Sequence, residues 1–67
     1  MRGTLIINRE GNKLDNKLFD VPYEVFLQAQ IQIQAVGCVN ISWTTTTGVE
    51  RFFSCSHATG AAWQDDI

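Results

Sequence analysis

Val39-Asn40-Ile41-Ser42-Trp43-Thr44, then Thr45-Thr46-Thr47-Gly48, then Val49-Glu50-Arg51-Phe52-Phe53-Ser54-Cys55-Ser56: the reading of this stretch decides the fold. Val39, Ile41 and Trp43 alternate with Asn40, Ser42 and Thr44, the pattern of a strand with one buried face. After the turn, Val49, Arg51, Phe53 and Cys55 alternate with Glu50, Phe52, Ser54 and Ser56. A three-residue loop, Thr46-Thr47-Gly48, puts glycine where a left-handed residue is needed. It opposes Val39 to Cys55, Ile41 to Phe53 and Trp43 to Arg51, which keeps the apolar side chains together. A two-residue loop would face Ile41 with Ser54 instead, so the longer loop is the better register.

Upstream of the hairpin, residues 22–36 carry two conflicting signals. Leu27, Ala29, Ile31, Ile33 and Ala35 alternate with Gln28, Gln30, Gln32 and Gln34, which by pattern alone is a strand. Leucine, alanine, glutamine and glutamate are nevertheless good helix formers, and Gly37 stands where a helix stop belongs. Val25, Phe26, Ala29, Ile33 and Val36 share one stripe about 100° wide, enough to cover a sheet. We therefore read a helix, opened by Asp20-Val21-Pro22 with an acidic N-cap and proline in the first turn. Leu27, Ile31 and Ala35 form a second stripe, which either widens the core or meets a partner.

Thr4 to Arg9 reads as a first strand, and Glu10-Gly11-Asn12-Lys13 as a turn. Lys13 to Phe19 is a returning strand or a loop, because Asp15-Asn16 interrupts it. After the turn-like Ser56-His57-Ala58-Thr59-Gly60, Ala61 to Gln64 forms a short last strand. The expected fold class is α+β: one small domain over residues 1–67, an antiparallel sheet of about four to five strands, and one helix packed on one face.

Sixty-seven residues, 45% of them apolar, suit an ordinary small globular domain. Such a chain buries only about 60% of its unfolded surface and has little room for a deep catalytic cleft. No apolar run approaches the roughly 20 residues that span a bilayer, and the apolar run near Met1 is too short for a signal peptide. The expected location is therefore the cytoplasm, with Cys38 and Cys55 as reduced thiols. The register supports this, since Cys55 faces the core beside Val39 while Cys38 points to the other side. The net charge of −2 divides unevenly, +1 over residues 1–20 and −3 over residues 21–67.

No catalytic constellation stands out. Cys55, His57 and Cys38 are one ligand short of a structural zinc site, and His57 reads as an exposed turn residue. Cys55 looks too buried for a nucleophile, and Asp65-Asp66 are too close to the chain end to form a rigid acid–base pair. Gly11, Gly48 and Gly60 are isolated turn glycines rather than a phosphate-cradling loop. We expect no enzyme activity, cofactor or metal. What remains are surfaces. Phe52 stands on the polar hairpin face among Asn40, Ser42, Thr44, Glu50 and Ser54, as a binding anchor or a base-stacking platform. It is equally open to being covered by the N-terminal segment. Arg51 opposite Trp43 reads as a guanidinium over an indole.

The order of elements, the basic turn-rich stretch and the ending Gly60-Ala61-Ala62-Trp63-Gln64-Asp65-Asp66 resemble small phage-encoded anti-CRISPR proteins of type I systems. The resemblance covers most of the chain and is one of size, order and composition, so no functional residue carries over. It implies a non-enzymatic inhibitor that binds a CRISPR-Cas effector subunit and obstructs target DNA or nuclease recruitment. The chain is less charged than many DNA-mimicking inhibitors, which argues against DNA mimicry. The partner-binding residues expected are Phe52 and Glu50, the helix residues Leu27 and Ile31, and the cations Arg9, Lys13 and Lys17. The alternatives are a small nucleic-acid-binding module using Arg2, Arg9, Lys13 and Lys17 with Phe52, and a structural or toxin–antitoxin phage protein that self-associates through its helix.

Overall fold

The computed structural model describes residues 1–9 and 17–65. Five strands and one helix follow in the expected order: β1 (Arg2–Arg9), β2 (Lys17–Pro22), α1 (Tyr23–Val36), β3 (Val39–Thr44), β4 (Glu50–Cys55) and β5 (Ala58–Asp65). The turn read at Glu10–Lys13 and the start of the strand or loop read from Lys13 lie outside the described residues.

All pairings are antiparallel, but the strands divide into two sheets, β2-β1-β5 and the hairpin β3-β4. The hairpin register is the one read from the alternation: Val39 faces Cys55, Ile41 faces Phe53 and Trp43 faces Arg51. The Thr45 N–H donates to the Val49 carbonyl and the Gly48 N–H to the Thr45 carbonyl, at 2.9 and 3.0 Å. Gly48 adopts φ 87°, a conformation that a residue without Cβ takes at no steric cost.

Helix α1 begins one residue later than expected. Pro22 is its N-cap, extended at φ −67° and ψ 146°, and no side chain caps the helix. Asp20 is therefore not the cap. Gly37 closes the other end at φ 71°, its N–H donating to the Ile33 carbonyl at 2.9 Å. The helix packs against both sheets, so the core gathers Leu5 and Ile7 from β1, Val21 from β2, Val25, Phe26 and Ala29 from α1, and Val39, Ile41 and Trp43 from β3. Ile33 is partly buried against this core, but Val36, expected in the same stripe, is 72% exposed at the end of α1. Tyr23, Phe26 and Trp63 meet in an aromatic trio with centroids 5.3 to 5.5 Å apart.

Two irregularities shape the larger sheet. Gly3 faces Val21 but Leu5 faces Leu18, so β2 carries one residue more than β1 between these pairs. This is a bulge, and Asp20 within it takes φ 59°, a left-handed conformation that aspartate tolerates better than most residues. The extra residue lets Val21 turn fully into the core while Phe19 remains 65% exposed. A second shift, between Asn8 and Arg9, places Arg9 opposite Ala58.

The bulge also aims Asp20 at the hairpin. Its Oδ1 accepts from Arg2 Nε at 2.7 Å, and its Oδ2 accepts from the Thr46 N–H at 2.8 Å and the Thr46 hydroxyl at 2.9 Å. Arg2 donates further to the carbonyls of Asp20 and Thr44. One carboxylate thus ties β1 and β2 to the turn of the second sheet. The Thr46 backbone N–H first, and then the Arg2 guanidinium, hold the Asp20 carboxyl below its usual range. At the opposite end, the Ala58 N–H donates to the Gly37 carbonyl at 2.8 Å, and Gln32 Oε1 accepts from the Asn40 N–H at 2.6 Å.

Candidate interaction surface

Alternation along β3 and β4 decides which residues reach the surface. Val39, Ile41 and Trp43 turn toward the helix, so Ser42 and its partner Phe52 point outward. Phe52 is 67% exposed, and the N-terminal segment does not cover it. The bulge in β2 brings Phe19 out on the neighbouring element, also largely exposed.

These residues border two clefts with a common wall of Trp43, Arg51 and Phe52. The larger, about 540 Å³, is completed by Ser42, Thr44 and Glu50. The second, about 250 Å³, is completed by Lys17, Leu18 and Phe19. Two phenylalanines and two cations therefore come together from β2 and β4, the residues of one pair lying more than thirty positions from those of the other. Neither Lys17 nor Arg51 forms an ion pair among the described residues. Trp43 is 92% buried, and its indole N–H has no acceptor among the described residues. A buried donor without a partner is costly and uncommon.

Of the residues expected to meet a partner, Phe52, Glu50 and Lys17 share these clefts. Arg9 is exposed at the end of β1 and lines neither cleft. Leu27 and Ile31 are 42% and 66% exposed on α1, which lies against the other face of the hairpin from Phe52. Their stripe does not widen the core. Lys13 and Asp66 lie outside the described residues. The sequence reading missed Phe19 as a site residue, and it treated Arg51 and Trp43 as a structural pair. The available signal was the alternation of Leu18 inward and Phe19 outward.

Cys38 and Cys55 are free thiols, as the register requires. Burial pushes the Cys55 thiol up against the opposing influence of Arg9, the wrong direction for a nucleophile. His57 sits exposed in the turn at φ 60°. Among the described residues no group of three or more His, Cys, Asp or Glu could hold a metal ion, and no helix is long and apolar enough to cross a membrane. Trp63, the aromatic of the chain's ending, packs on the helix and donates its indole N–H to Asp65 at 2.7 Å. No family model, curated protein or solved structure matches this chain.

Proposed function

We propose that this chain is a non-catalytic binding protein that acts by occlusion, with the clefts around Phe52 as its contact surface. The supporting observation is the meeting of exposed Phe19 and Phe52 with Lys17 and Arg51, which have no ion-pair partner among the described residues. Aromatic and arginine side chains are the residue types that most often dominate binding energy at protein interfaces. The target class is a subunit of a type I CRISPR-Cas effector complex, and blocking it would obstruct target DNA or nuclease recruitment; this rests on the resemblance in element order and chain ending.

The test is affinity capture from a lysate containing such an effector, using the wild type and a Phe19→Ala/Phe52→Ala variant. Recovery of effector subunits by the wild type, lost in the variant, supports the reading. Recovery of nucleic acid alone refutes it. A nucleic-acid-binding module is the second reading, favoured by the same phenylalanines as stacking platforms beside cations. It requires binding to bare single strands that weakens steeply with salt.

A further inference from the structure

We infer that the cleft shared by Lys17, Phe19, Trp43, Arg51 and Phe52 takes an acidic peptide segment, one carrying carboxylates beside an apolar side chain. This deepens the proposed function by naming the chemistry of the partner, and it rests on that reading. Two observations converge on it, and a third residue serves as the reporter. Lys17 and Arg51 have no ion-pair partner among the described residues, so both cations stand ready for a carboxylate that enters the cleft. Phe19 and Phe52, each about two-thirds exposed, flank those cations and offer two apolar walls to one inserted side chain. Trp43 contributes to the common wall of both clefts, so its indole signal reports on what enters them.

Charge distribution selects a peptide over a nucleic acid. The chain as a whole carries −2, and Glu50 stands on the wall of the larger cleft, with Asp20 close by on β2. A run of phosphates would have to pass these carboxylates, whereas one or two carboxylates match the two cations. Arg51 supplies the planar fork that pairs with a carboxylate through two hydrogen bonds, and Lys17 adds a second, mobile charge.

The experiment is a ¹⁵N–¹H titration of the full chain, following the two indole N–H signals of Trp43 and Trp63. The probes are an end-blocked tripeptide with phenylalanine between two glutamates, its counterpart with two lysines, and an eight-residue oligothymidine. The expected result is a saturable shift of the Trp43 indole signal with the acidic tripeptide only, the Trp63 signal staying still. Arg51→Glu should weaken this binding by about tenfold or more, since it removes a charge-assisted pair and adds a repulsive charge. Arg51→Gln, which removes the positive charge without adding a negative one, should weaken it less. Retention of the wild-type amide spectrum in both variants shows that the fold survives. Equal binding of both tripeptides, binding of the oligothymidine alone, or no shift at Trp43 would each overturn the inference. Effector capture that persists while the acidic tripeptide fails removes only this inference. Tripeptide binding without effector capture removes only the assignment of the target.

Discussion

Replacing Gly3 with alanine sets two opposing effects against each other at one buried position. Gly3 lies in the central strand β1, facing Val21 on one side and Asp65 on the other. A glycine within a strand costs roughly 0.5–1 kcal/mol of chain entropy relative to alanine, so entropy alone favours the change. Sterics oppose it. A Cβ built on Gly3 would collide with the Gln64 carbonyl oxygen and stand 2.9 Å from Trp63 Cζ2 and 3.1 Å from the Asp65 Cα. Two of these three neighbours are backbone atoms of β5, which is held in register with β1 from Gly3 to Asn8. They cannot retreat without stretching the ladder, and Trp63 is itself held in the aromatic trio. Overpacking of this kind costs about 1–3 kcal/mol, and a backbone obstruction belongs at the upper end. The expected net effect is destabilisation by about 1–2 kcal/mol, out of the roughly 3–10 kcal/mol that a domain of this size holds. With a urea dependence of about 1 kcal/mol per molar, the unfolding midpoint should fall by roughly 1–2 M. Gly60→Ala is the matched control: it lies in the same β1–β5 ladder, has no positive φ, and its new Cβ would have only Asn8 Nδ2 nearby, at 3.8 Å. That variant should match or exceed wild-type stability by up to about 1 kcal/mol. If Gly3→Ala unfolds at the same urea concentration as wild type or a higher one, the close approach of β5 to β1 is wrongly described.

Other outcomes follow from single features of the structure. Asp20→Asn keeps a side chain that tolerates φ 59° while removing the charge held by Thr46 and Arg2. Because the folded carboxyl lies below its usual range, the stabilisation is fully present above about pH 4 and is lost as pH falls through the folded value. Urea midpoints at pH 7 and pH 3 should therefore differ more for wild type than for the variant, and equal differences would refute the linkage. Ellman's reagent should react quickly with exposed Cys38 and slowly with half-buried Cys55, whose thiol burial pushes up; a single fast phase from both thiols would contradict this. Leu5→Ala removes a fully buried side chain from the central strand and should cost about 2–5 kcal/mol, enough to leave much of the protein unfolded in circular dichroism at 25 °C. Ile31→Lys changes a residue 66% exposed on α1 and should move the urea midpoint by no more than about 0.5 kcal/mol equivalent.

The hairpin, its register and its glycine turn were readable from residues 39–56 alone, because side-chain alternation and loop length are local constraints that admit only one pairing with Ile41 on Phe53. The helix at residues 23–36 was readable for a related reason: intrinsic propensity and a stop at Gly37 outweighed an accidental alternation of glutamines. Phe52 was likewise recognisable as an aromatic on a polar face. Only tertiary structure decided that the strands divide into two sheets, that Val36 stays in solvent and that Leu27 and Ile31 stay outside the core. It also decided the role of Asp20, whose partners Arg2 and Thr46 lie 18 and 26 residues away, so no local pattern could distinguish a helix cap from a clamp between sheets. Phe19 joined Phe52 for the same reason. Local sequence sets which way a side chain points on its own strand, but which strands lie side by side depends on packing between segments remote along the chain.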